Sequence, residues 1–230
     1  MASPFGLWRF AVLTPEEQTQ LLNAADQVRQ TALLHLDANR NTEYVIRFIA
    51  NLQRGVDSMV LAAVESGQQF DCKAGCNHCC RVRVEALEPE VFQIARELKK
   101  QAPDRLKQLI FRLNTYVSGI TPDSAGQHDR VCPFLEHELC SIYSVRPAVC
   151  RKAHSLDVTQ CQKTGADIPQ SLALILQAEA LMKGTATAYQ QIQLAASGHE
   201  LGQAVLLALS DDTAESRWIA GEAVFDVEKF

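Results

Sequence analysis

The sequence has no uninterrupted apolar run of the roughly 18 residues that a membrane span requires. Its longest candidate, near Leu172 to Met182, is broken by Gln177 and Glu179. It also lacks positive charge to spare. The net charge is -5 over 230 residues, the pI is near 5.7, and no five like charges stand together, so there is no basic field with which to grip nucleic acid. Met1 to Thr14 offers apolar residues but no basic segment leading into them, and Arg9 interrupts the stretch, which is not the pattern of a secretory leader. The expectation is a soluble, cytoplasmic protein with neither nucleic acid nor a membrane as partner. No Gly-rich phosphate loop follows a strand, no Ser-His-Asp order can be argued and no paired carboxylates stand out, so no catalytic residue is assigned. Internal repeats and low-complexity tracts are absent as well.

Cysteine is what the chain has in quantity: eight, four of them within nine residues, C-K-A-G-C-N-H-C-C. These are Cys72, Cys76, Cys79 and Cys80, and offsets of three and four would set thiols on one side of a helical turn. Four bare thiolates this close repel one another, so a bound cation or cluster is the simplest way to hold them together. A reducing compartment favours metal ligation or redox chemistry over disulfides. A second block carries Cys132, Cys140, Cys150 and Cys161, among Cys-Pro and Arg-Pro pairs that favour turns over one continuous helix. Two blocks of four fit two tetrahedral four-thiolate sites, or one iron-sulfur cluster with extra ligands, and spacing does not choose between them. Neighbouring Cys79 and Cys80 must point in different directions, so one ligates while the other bridges, serves a second metal or stays free.

His78, His137 and His154 are alternative ligands, but eight thiolates already suffice, and a solvent-facing or hydrogen-bonding role is the simpler reading. Tyr143, Arg146 and Arg151 either steer an anion, stabilise thiolate charge, or only pack their turn. Cys72, Cys76 and Cys79 also have the spacing of the radical S-adenosylmethionine motif. The alternating strands and helices that such enzymes need do not follow it.

Around the cysteines the periodicity is helical. Thr14-Pro15-Glu16-Glu17 reads as a capped helix start, with an apolar stripe of Leu21, Ala25, Val28, Ala32 and Leu36. A second helix is expected over about Thr42 to Glu65, forming an antiparallel hairpin with the first. Arg81 to Ala86 alternates like a short strand. Further helices are expected from Glu88 to about Lys100, from Pro103 to about Val117, from Gln170 to Ala196, from Glu200 to Leu209 and near Trp218, with a loop from Gly119 to Arg130. The fold class is therefore mainly α, a helical protein with little strand built around a cysteine-rich centre. Its expected divisions are an N-terminal helical hairpin over 1–69, a cysteine-cluster domain over 70–169 and a C-terminal helical segment over 170–230.

The first block, together with Cys132-Pro-Phe-Leu135, Cys140-Ser-Ile-Tyr143, Arg146-Pro147, Cys150-Arg151 and Cys161, resembles the YkgJ-type cysteine-cluster proteins, a family described as zinc- or iron-chelating. The resemblance covers about Phe70 to Pro169. It implies that these cysteines bind zinc or iron, or carry an iron-sulfur cluster. Flagellin lysine N-methylases are similar across the same pattern. The expected function is thus a metal- or cluster-binding protein acting in redox, sensing or metal handling. Its alternatives are a cluster-dependent modifying enzyme of the methylase kind and a structural zinc module for a protein partner. The sequence sets no oligomeric state.

Overall fold

Thr14 and Glu17 close a reciprocal box at the start of the first helix: Glu17 N–H donates to Thr14 Oγ1 at 3.2 Å, and Thr14 N–H to Glu17 Oε2 at 2.8 Å. Pro15 follows at the first helical position, where its missing N–H costs nothing. This is α1, Pro15–Ala38. A computed structural model of the chain describes residues 13–73, 75–120, 131–163 and 168–225. The expected features at residues 1–12 and most of the loop at 119–130 lie outside the described residues. Asn41 caps α2, Thr42–Glu65, by accepting from Tyr44 N–H.

The described residues are mainly α. After a stretch without regular structure come α3, Glu88–Leu98, and α4, Pro103–Ser118. Short α5, Ala148–Lys152, and α6, Val158–Cys161, precede the long α7, Leu172–Gln191. α8, Leu201–Ser210, and α9, Ala214–Ile219, end the described chain. Among the described residues, strand is limited to two small antiparallel pairs: β1, Glu85–Leu87, with β4, Gly198–Glu200, and β2, Leu135–Glu136, with β3, Leu139–Cys140. No helix among the described residues is long and apolar enough to cross a membrane.

α1 and α2 follow one another through a tight turn, yet α1 makes its principal contact with α7 and only slight contact with α2. The reason lies in the side chains at the crossing. A Cβ on Gly184 of α7 would stand 2.4 Å from Ala25 O and 2.7 Å from Val28 Cβ of α1, so only glycine lets the two backbones come so close. On its other side α7 meets α2, where Tyr189 donates its hydroxyl to Val45 O at 2.6 Å. The first two helices, expected to pair as a hairpin, instead both pack on a third helix from the far end of the chain. α8 packs on α3 and α4 and closes the other side of a continuous core, which runs from Leu36 and Ile49 through Val91, Ile94 and Phe134 to Tyr189, Val205 and Trp218.

Three carboxylates sit inside this frame and are occupied by backbone donors. Glu90 accepts from Leu87 N–H at 3.1 Å and from Ala148 N–H at 2.7 Å, and so fastens α3 to the start of α5. Glu88 accepts from Ser197 N–H at 2.6 Å and contacts His199 Nε2 at 2.8 Å. Glu200 accepts from Tyr116 Oη at 3.0 Å and Gln203 N–H at 2.7 Å. Lys152 and Glu179 form a buried ion pair between α5 and α7.

Candidate metal centre

The first cysteine block is not a helical turn. Residues 71–73 and 76–77 have no helical structure, Gly75 lies at φ +84°, and only His78–Arg81 turns, as a 3-10 segment. The positive φ at Gly75 takes the chain out of the right-handed helical region, and short bonds replace a helix: Cys76 N–H to Lys73 O at 2.9 Å and Cys80 N–H to Asn77 O at 2.9 Å. The thiols are therefore presented by successive turns. The expectation that helical offsets would align them is corrected here, and the glycine between Cys72 and Cys76 is the physical reason.

The second block is built of turns, as its prolines suggest. β2 and β3 are joined by His137 and Glu138 at φ 48° and 64°, the two positive values of a tight primed hairpin turn. That hairpin sets Cys140 opposite Leu135. Cys150 lies in α5 and Cys161 ends α6.

Four bonds stitch the blocks together. Cys132 N–H donates to Cys80 O at 2.7 Å. Asn77 Nδ2 donates to Glu138 at the hairpin tip. On the other flank, Asp71 N–H donates to Ser155 O at 3.0 Å while Asp71 Oδ2 accepts from Val158 N–H at 2.9 Å, which lays the chain before Cys72 along the start of α6.

All eight cysteines are free thiols; Cys72 and Cys79 are exposed and the other six half-buried. Their electrostatic neighbourhoods show which thiols the fold gathers. Cys150 is pushed well up, first by burial and then by the charges of Cys132, Cys79 and Cys140. Cys132 is pushed up to about 11, again by burial first, with Cys140, Glu200 and Cys79 adding to it. Cys140 rises through burial, opposed by the guanidinium groups of Arg146 and Arg151. Cys79 rises because its thiol is hydrogen-bonded with that of Cys80 and because neighbouring protein atoms desolvate the sulfur, although the residue as a whole is exposed, with Arg146 opposing. Cys72 rises through burial and through Cys76, Cys79 and Cys161. Burial and like charge both penalise bare thiolates, so they favour a partner that neutralises them.

Against those penalties the backbone already points donors at sulfur. The Ser155 N–H acts on Cys72, the Phe134 N–H on Cys132 and the Ile142 N–H on Cys140, each favouring the thiolate. In the last two cases the donor lies two residues after its cysteine. Among the described residues, no three His, Cys, Asp or Glu side chains converge on one metal position. The donor set nevertheless fits zinc or iron: soft sulfur ligands in one neighbourhood, with amide donors orienting them.

Residues 71–169 match the family model CxxCxxCC, described as a putative zinc- or iron-chelating domain. This stretch is similar to the CxxCxxCC domain. No curated protein and no solved structure matches the chain. The matched stretch contains all eight cysteines and runs from Asp71, the residue that ties the first block to α6, to Pro169, whose carbonyl accepts from Leu156 N–H at 2.9 Å.

The histidines divide by environment. His154 is spent on backbone partners: Nδ1–H donates to Lys152 O at 2.8 Å and Nε2 accepts from Ser171 N–H at 2.8 Å. Both nitrogens are taken, which fits the hydrogen-bonding alternative and not a ligand. His137 lines a polar cleft of about 410 Å³ with Arg105, Arg112 and Glu136. His78 begins the 3-10 segment between Asn77 and Cys79.

Arg146 stacks on exposed Tyr143, its guanidinium carbon 3.7 Å from the ring centroid. Arg151 is tied to Asp57 of α2, to Arg146 O at 2.9 Å and to Ser144 O at 2.6 Å. Both arginines place positive charge beside Cys140, and Arg146 also beside Cys79, which supports the charge-stabilising role. What the sequence did not disclose is the contribution of Glu200, whose charge reaches Cys132 from β4, and of Glu90, whose charge reaches Cys150 from α3. Glu90 carried only the look of an acidic first helical turn. Glu200 carried only the look of a helix start.

Proposed function

We propose that this chain is a zinc- or iron-handling protein whose ligands are drawn from Cys72, Cys76, Cys79, Cys80, Cys132, Cys140, Cys150 and Cys161. The observation that carries the reading is the match of residues 71–169, which hold all eight cysteines, to a zinc- or iron-chelating domain. Crowded thiolates repel one another unless a cation neutralises them. The bound metal would supply the positive charge that the crowded sulfurs lack; the chain supplies their orientation, through the Cys132–Cys80 link and the β2–β3 hairpin. Handling fits better than a purely structural role because Cys72 and Cys79 are exposed, and solvent-facing ligands can be replaced one at a time.

Anaerobic purification followed by elemental analysis and visible absorption is the test. Stoichiometric zinc in colourless protein, or iron with thiolate-to-iron absorption, is the expected result. Substituting Cys76→Ser should lower the metal content; a metal-free wild type, or a variant with unchanged metal, would contradict the reading.

A further inference from the structure

The polar cleft of about 410 Å³ beside the β2–β3 hairpin holds none of the eight cysteines. α4 contributes Arg105, Gln108 and Arg112, the chain just before it contributes Gln101, and the hairpin contributes Glu136 and His137. Arg105 and Arg112 stand about two turns apart on α4 and so share a face of the helix. They also share one acceptor: Arg105 Nη2 donates to Glu136 Oε2 at 3.0 Å, and Arg112 Nη2 to Glu136 Oε1 at 2.5 Å. One carboxylate between two guanidinium groups leaves a positive charge over, in a chain whose net charge is -5. Neighbouring acids do not cancel it. Asp104 pairs with Lys107 at 3.8 Å, and Glu138 is bonded to Asn77.

Donors are also left over. Arg112 Nε is buried with no acceptor among the described residues, and a buried donor without a partner is a standing cost that a bound acceptor removes. The side chains of Gln101, Gln108 and His137 line the same cleft and make no hydrogen bond among the described residues. A space of this size suits a small molecule.

We propose that the cleft binds a small molecule through an oxyanion, a phosphate or carboxylate group, seated on the guanidinium groups of Arg105 and Arg112. Guanidinium forks hold such groups through two donors at once, and each arginine keeps donors beyond the one given to Glu136. Gln101, Gln108 and His137 supply neutral donors and acceptors for the rest of the molecule. Glu136 tempers the affinity, because an arriving anion must share the two guanidinium groups with it. The cleft stands apart from the zinc or iron reading and adjoins it only through the hairpin, where Glu136 pairs with Leu139, the residue before Cys140.

The test is calorimetric titration of the reduced full-length protein at low ionic strength, with inorganic phosphate in one series, succinate in a second and sodium chloride at matched ionic strength as the control. Saturable binding at one site per chain is expected for phosphate, succinate or both, and the stronger series tells a phosphate from a carboxylate source. Arg105→Gln alters an exposed side chain and should weaken binding about tenfold or more. Glu136→Gln should tighten it. Lys107→Gln removes the same charge from α4 outside the cleft and should leave it unchanged. Far-ultraviolet circular dichroism checks that each variant is folded. The proposal would be overturned by the absence of saturable binding in both wild type and Glu136→Gln, by an equal response to chloride, by unchanged affinity in Arg105→Gln, or by equal weakening in Arg105→Gln and Lys107→Gln.

Discussion

His154 shows how a residue that could serve as a metal ligand is committed elsewhere. Its ring bridges the Lys152 carbonyl and the Ser171 N–H, and Ser171 is the cap of α7. Burial first, and the Lys152 charge, hold its pKa below the ordinary 6.5. The unfolded chain therefore takes up the proton before the folded one does. Stability from this group is fully present above about pH 6.5 and is lost as pH falls from there towards the lowered folded value. Urea unfolding of the wild type at pH 7.5 and at pH 5.5 should show the acid-side loss. His154→Ala should cost about 1–3 kcal/mol at neutral pH, because a buried N–H loses its acceptor, and should flatten that part of the pH profile. An unchanged slope in the variant would mean that another group titrates there.

Among the elements, the α1–α7 crossing is the most demanding. Gly184→Ala drives a methyl into the backbone oxygen of Ala25, and about 1–3 kcal/mol of destabilisation is expected from such overpacking. Gly55 in α2 provides the contrast. A Cβ there meets the end of the flexible Leu181 side chain at 3.1 Å, so Gly55→Ala should be near neutral or stabilise by about 0.5–1 kcal/mol through the gain in helix propensity. Thermal denaturation of both variants separates the cases, and equal effects would contradict the close approach. The helices themselves were legible, because capping chemistry and period are local: Thr14 and Glu17 announce α1, and its apolar stripe carries the signal on to Leu36. The partners were not. Nothing in the run of Gly198, His199 and Glu200 signals a strand, since its pairing with Glu85 to Leu87 depends on a segment more than a hundred residues earlier. The turns of the first cysteine block escaped for a related reason: offsets of three and four look helical until one glycine takes a positive φ.

For the molecule as a whole, the core does not respect the expected divisions at 69 and 169. Leu36, Phe134 and Trp218 belong to one continuous cluster, although they come from the first, second and last of those segments. The zinc- or iron-chelating character of the matched stretch was legible in composition and spacing, because ligand type is a property of residues. The neighbour relations, such as Cys72 with Cys161, were not, because the Asp71 bonds that create them join distant turns. A shared core also couples the centre to the rest. Trp218 is fully buried, and its fluorescence should report the same transition as far-ultraviolet circular dichroism. Zinc at a hundredfold excess over its dissociation constant should raise the stability seen by both probes by about 2.7 kcal/mol. A metal-dependent transition visible to one probe and not the other would show that the cysteine centre unfolds on its own.

The partnership of α1 with α7 also sets an order of events during synthesis. α1 ends at Ala38 and α7 begins at Leu172. At roughly 5–20 residues per second, the ribosome needs on the order of ten seconds to deliver the second helix after the first. Over that interval Ala25, Ala32 and Leu36 wait for the surface that will bury them, while all eight cysteines leave the ribosome before α7 does. The nascent chain is thus able to meet its metal before its helical frame can close.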